Sequence, residues 1–207
     1  RVGQARISGF QSGKDEVDFL TASIEKICSC AIQLQKTKTG ALIVFERATQ
    51  LGDIVNSGTI IDAEVSESLI GNIFYPKSPL HDGAMIIRDG RIYAASCILP
   101  LTQSTAFSSQ LGTRHRAAIG MTENSDAIVL VVSEETGIIS AMNDGKYKRY
   151  LDTETLANVL KDAYGKYNHI KGEKQICDYY LQDGTFLKID AINLGYTLPL
   201  KDKTNGL

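Results

Sequence analysis

The chain has 207 residues, 43% hydrophobic and 22% charged, with 22 basic against 24 acidic side chains and a formal charge of −2. A soluble globular domain of ordinary make-up follows, long enough to bury roughly 70% of its unfolded surface around one core. A general nucleic-acid binder, which needs a marked basic excess, is excluded, and no apolar run reaches the ~18–20 residues that cross a bilayer.

Residues 1–15 are polar and read as a linker; Gly9-Phe-Gln-Ser-Gly13-Lys14 is too short for a phosphate loop and is followed by Asp15 rather than Ser or Thr. From Glu16 to Lys36, Val17, Leu20, Ile24, Ile27, Ala31 and Leu34 recur every three or four positions, which predicts an amphipathic helix. Gly40 breaks the pattern, and Ala41 to Phe45 is a continuous apolar run suited to a strand buried on both faces. Asp62 is the expected N-cap of a second helix carrying Val65, Leu69, Ile70, Ile73 and Phe74, stopped by Pro76 and Pro79. Ala84 to Arg88 and Arg91 to Leu99 flank Asp89-Gly90 and predict a hairpin. Thr113 to Met121 reads as a helix, Ala127 to Val132 as a central strand, and Ile138 to Met142 with Tyr147 to Leu151 as a hairpin around Asn143-Asp144-Gly145. Asp152 to Tyr164 is the expected closing helix, and 165–207, with a further hairpin signal at Asp183-Gly184, a small appendage. Helices interleaved with strands and hairpins predict a single α/β domain over 16–164, with a central mixed β-sheet flanked by helices. Cys28, Cys30, Cys97 and Cys177 have neither metal-site spacing nor the density of a disulfide scaffold, so a reducing compartment is expected.

Three short stretches depart from this pattern. In Leu80-His81-Asp82-Gly83-Ala84, Asp82-Gly83 follows two prolines and enters one strand directly, so a hairpin turn does not explain it. A carboxylate at a strand mouth can orient a hydroxyl or hold a divalent cation, His81 can ligate the same ion, and Gly83 lets a ligand approach the backbone; a loop Asp that caps nearby amides is the plainer alternative. Gly112-Thr113-Arg114-His115-Arg116 opens a helix, where cations are disfavoured, so the cluster implies an anion held by amides, the Thr113 hydroxyl and a guanidinium. Pairing with surface carboxylates is the alternative there. Ser133-Glu134-Glu135-Thr136-Gly137 follows a central strand, where ligands of open α/β sheets gather. Two of the three histidines, at 81, 115 and 169, fall within these stretches. The combination suggests nucleotide phosphoryl chemistry, which depends on positioning and charge neutralisation and needs no nucleophilic side chain.

Asp82-Gly83-Ala84 and Arg114-His115-Arg116, within Pro79-Leu-His-Asp-Gly-Ala84 and Leu111-Gly-Thr-Arg-His-Arg-Ala-Ala118, resemble the paired motifs of the diadenylate cyclase domain, and the resemblance runs from about Lys38 to about Tyr164. It is most like the membrane-anchored bacterial cyclases. The resemblance implies condensation of two ATP into cyclic di-AMP with release of two pyrophosphates, using Mg²⁺ or Mn²⁺, between two facing protomers. A homodimer or a higher oligomer built from it is therefore expected, with no nucleic-acid partner. Carried over, Asp82 would activate the 3′-hydroxyl, His81 and Asp82 would hold the metal, and Gly83 and Ala84 would shape the ribose pocket. Gly112, Thr113, Arg114, His115 and Arg116 would bind phosphates and pyrophosphate, completed by Ser133, Glu134 and Glu135. Adenine would lie near Leu99, with Ile98 giving apolar contact where many relatives have a stacking Tyr. The resemblance also implies a position at the cytoplasmic face of the membrane through a segment outside this chain, which itself is expected to be a soluble fragment. A nucleotide-binding sensor without turnover is the reading from a different class.

Overall fold

The computed structural model describes residues 12–104, 111–144 and 146–161, leaving aside the side chains of 12–18. Within them lies a seven-stranded mixed sheet, ordered β2-β4-β3-β1-β5-β6-β7, with helices on both faces. The strands are β1 (Ala41–Phe45), β2 (Thr59–Glu64), β3 (Ala84–Arg88), β4 (Arg91–Cys97), β5 (Ile128–Val132), β6 (Ile139–Asn143) and β7 (Lys146–Arg149). The helices are α1 (Ser12–Lys36), α2 (Gly52–Asn56), α3 (Glu67–Ile73), α4 (Thr113–Asn124) and a short α5 over 153–161. Only β1 and β3 run parallel; the other neighbours are antiparallel.

The two apolar runs without alternation, β1 and β5, are buried along their whole length because each face of the sheet carries its own core. Ala41, Ile43 and Phe45 point to one side with Ile128, Leu130 and Val132, where α1 contributes Leu20, Ile24, Ile27, Ala31 and Leu34 and α5 contributes Leu156 and Leu160. Leu42 and Val44 point to the other with Val129 and Val131, covered by Ala117, Ala118 and Met121 of α4 and Val55 of α2. This alternation fixes the strand register, since a one-residue slip would exchange the two cores. Asp89 (φ 48°) and Gly90 (φ 72°) make the expected left-handed turn between β3 and β4.

Several expectations are corrected. The first helix reaches back to Ser12, into the stretch read as a linker. Asp62 does not cap a helix: it sits at φ 48° where the β2–β4 register shifts, and its carboxylate accepts from Arg91 Nε at 2.7 Å. The cap of α3 is Ser66, whose hydroxyl accepts from the Leu69 amide, and both α2 and β2 were missed. Asp152 caps α5 through the Thr155 amide at 2.8 Å. The hairpin signal at Asp183-Gly184 lies outside the described residues, as does the 165–207 segment. Among the described residues no helix is long and apolar enough to cross a membrane.

Candidate active site

The antiparallel pairings place the starts of β1 and β3 beside the ends of β5 and β4, with Ala41 opposite Val132 and Ala84 opposite Cys97. All three unusual stretches therefore meet at one end of the sheet, where α4 begins. They enclose a cleft of about 740 Å³, into which His81, Asp82 and Gly83 project from the first stretch, Thr113 and Arg114 from the second, and Glu134 from the third. Leu99, Leu101 and Ile98 form an apolar flank, with Ile98 70% exposed at the rim.

Asp82 is placed by its backbone. Gly83 has φ +104°, and a Cβ there would stand 2.7 Å from the Ser96 carbonyl carbon and 2.8 Å from Cys97 O. The glycine is thus required by close packing of the chain against β4 as well as by the torsion, a stronger reason than room for a ligand. Ser96 occupies a bulge in β4 at φ 57° and donates to Asp82 O at 2.8 Å. No described residue hydrogen-bonds the exposed Asp82 carboxylate, which faces the cleft ready for an outside partner. His81 Nδ1 lies 2.6 Å from Ser78 O, which assigns its proton to Nδ1 and turns the Nε2 lone pair outward, the tautomer a metal ligand needs. His81 and Asp82 thus suit a divalent cation. Among the described residues no three His, Cys, Asp or Glu side chains converge, and phosphate and water oxygens are natural further ligands for such an ion.

The N-terminus of α4 carries no acidic residue in its first turn, and its cap, Gly112, offers no side chain to the amides. That end of the helix favours an anion. Arg114 Nη1 instead donates to Glu134 Oε2 at 2.5 Å, joining the second stretch to the third. The two side chains form a partition between the cleft and a smaller hollow of about 260 Å³. Gly112, His115, Ser133 and Glu135 line that hollow, not the main cleft.

His115 does not act as a third cation. It is buried against β6, with Nε2 3.5 Å from Ser140 Oγ and its ring edge-on to Tyr147. Burial first, and the nearby Arg149 guanidinium second, hold its pKa below the ordinary 6.5. Arg116 lines neither hollow, and its carbonyl accepts from the Thr102 amide. Ala84 is fully buried in the core on the α4 side. The first turn of a helix fans its residues around the axis, so Thr113 and Arg114 face the cleft while His115 faces the sheet.

Residues 29–147 match the model of the DisA bacterial checkpoint controller nucleotide-binding (DAC) family. The chain belongs to the DAC family. It is similar to the cyclic di-AMP synthase CdaA of Bacillus subtilis, 41% identical over 166 residues, 80% of this chain and 60% of that protein. The diadenylate cyclase CdaS of Bacillus thuringiensis is 48% identical over 125 residues, 60% of this chain and 62% of the relative. The chain thus spans about 60% of the length of these curated relatives. A crystal structure of DacA from Staphylococcus aureus, a cysteine double mutant, superposes with a TM-score of 0.68 at 43% identity, covering 73% of this chain and 98% of that one.

Three residues of this DAC domain near the cleft were not among the site residues expected from the sequence. Ser96 fixes the backbone of Asp82, Gly40 lies against the Arg114–Glu134 pair, and Arg149 of β7 lines the smaller hollow. Ser96 is a polar residue inside an apolar strand, which is the single cue among them. Arg149 and Gly40 become visible only when distant strands are brought together.

Proposed function

We propose that the chain is a diadenylate cyclase, condensing two ATP molecules into cyclic di-AMP and two pyrophosphates between two facing protomers. The observation that carries this reading is that one cleft holds both the exposed Asp82 carboxylate, without a hydrogen-bond partner among the described residues, and the Arg114 guanidinium at the bare end of α4. Its volume, about 740 Å³, falls in the ~300–1,000 Å³ range of small-molecule sites and suits one nucleotide. A product made of two nucleotides then calls for a second cleft opposite the first. The names of the DAC relatives, cyclic di-AMP synthase and diadenylate cyclase, support the same reading.

In this reading the nucleoside lies along Leu99 and Ile98, with the sugar near Gly83 and Asp82. Asp82 accepts the proton of the 3′-hydroxyl as that oxygen attacks the α-phosphorus held by the other protomer. Thr113, the α4 amides and Arg114 bind the phosphates and stabilise charge on the departing pyrophosphate. Ser133, Glu134 and Glu135 border its path, and His115 and Arg116 steady the helix that presents Arg114. His81 and Asp82 would hold Mg²⁺ or Mn²⁺, which when bound supplies charge neutralisation for the phosphates. A similar solved structure, described as a hypothetical membrane spanning protein from Bacillus cereus, has a TM-score of 0.59 at 41% identity. It supports a place at a membrane through a segment outside this chain; the proposed use of ATP puts the domain on the cytoplasmic side.

Incubation with ATP and Mn²⁺, followed by mass analysis, tests the proposal. A cyclic dinucleotide is expected from the parent protein and none from Asp82→Asn. ATP binding without any product would instead identify a sensor.

A further inference from the structure

We propose that Gly40 is a positioning residue whose missing side chain is the slot that Arg114 occupies to reach phosphate; this rests on the assignment of Arg114 to the phosphates. Gly40 is buried directly before β1. Because Ala41 pairs with Val132, the start of β1 lies beside the segment that carries Glu134. A Cβ at residue 40 would stand 2.6 Å from Arg114 Nη1, 2.9 Å from Arg114 Cζ and 3.0 Å from Glu134 Oε2. The two approaches to Arg114 are shorter than real Cβ contacts sustain and the one to Glu134 is tight, so the guanidinium would have to move.

The kind of neighbour decides whether the fold would shift as well. At Gly83 and Gly120 an added Cβ would meet main-chain atoms, and at Gly58 it would meet Cys97 Sγ and main-chain atoms of β4, so those glycines serve the fold. At Gly40 all three nearest atoms belong to the ends of two side chains, and its φ lies outside the left-handed range that L residues avoid. An alanine therefore leaves the backbone and the β1 pairing in place and displaces the guanidinium. Arg114 lines both hollows, as do Thr113 and Glu134, and with Glu134 it stands between them. Moving it changes where positive charge is offered to a triphosphate, and misplacement by about 1 Å can cost on the order of a hundredfold in rate.

The test is a cycle of parent, Gly40→Ala, Arg114→Ala and the double variant, read by kcat and KM for ATP, by calorimetric affinity for a non-hydrolysable ATP analogue, and by melting temperature. We expect Gly40→Ala to melt close to the parent while kcat/KM or analogue affinity falls about tenfold or more. In the Arg114→Ala background the same alanine is expected to add less than about twofold, because the group it displaces is gone. Equal losses in both backgrounds, a collapse of melting temperature in Gly40→Ala, or full activity of Gly40→Ala beside an impaired Arg114→Ala would each overturn the role of Gly40. Parent-like kinetics and affinity in Arg114→Ala would remove the phosphate assignment itself, and Gly40's role with it.

Discussion

Single residues at this site are governed by what holds them rather than by their formal charge. Asp82 projects from a backbone locked by Gly83 and Ser96, so Asp82→Asn preserves shape while removing the proton acceptor. The loss expected for that variant is of turnover, with folding untouched. His115 shows the opposite arrangement. Its imidazole is buried and its pKa lies below 6.5, so the unfolded chain binds a proton more readily than the folded one. The stability it contributes is complete above about pH 6.5 and is lost as the pH falls through its folded pKa. The parent's melting temperature should therefore decline on acidification below about pH 6.5, and His115→Asn should flatten that decline. An identical slope in both proteins would show that His115 is not the group responsible. Asp126, which burial alone would raise, is held below its ordinary 3.8 by hydrogen bonds from Thr49 and Ala48 together with the Arg47 charge, and acts in a separate, more acidic window.

Among the elements, those with an unbroken apolar run, a helical period or a turn signal were legible, and the short α2 and the edge strand β2 were not. β1 and β5 are buried on both faces and announced themselves as continuous runs, and Asp89-Gly90 marked its turn. β2 is an edge strand whose residues are mostly exposed, so its apolar content resembles that of a helix start, and Asp62 was read as a cap. At the site, Asp82 and Arg114 were legible because each was out of place for its local structure, an acid outside a hairpin and a cation at a helix N-terminus. Their mutual placement was not, since it follows from which strand ends the sheet sets together. α4 owes its position to Gly120, where a Cβ would press on Pro100 O and lie 2.6 Å from Thr102 N, both main-chain atoms that cannot swing aside. Gly120→Ala is expected to lower stability by about 1–3 kcal/mol, measured by denaturant unfolding, in contrast to the thermally silent alanine expected at Gly40.

For the whole molecule, the proposed reaction joins two nucleotides while the cleft beside Asp82 suits one. Specific activity should then rise with protein concentration and level off as association saturates, whereas full activity at concentrations where sedimentation shows only monomers would rule out a shared reaction centre. Sedimentation at the same concentrations should show dimers accumulating over that range. The Arg114–Glu134 bridge gives this arrangement a direction. A nucleoside lodged on one bank and its outermost phosphates on the other would straddle the bridge, so that bond cleavage divides the substrate along a boundary the protein already draws. In the proposed reaction the fragment cast off would lie on the side of the bridge lined by Gly112, Ser133 and Glu135, apart from the bank that keeps the nucleoside.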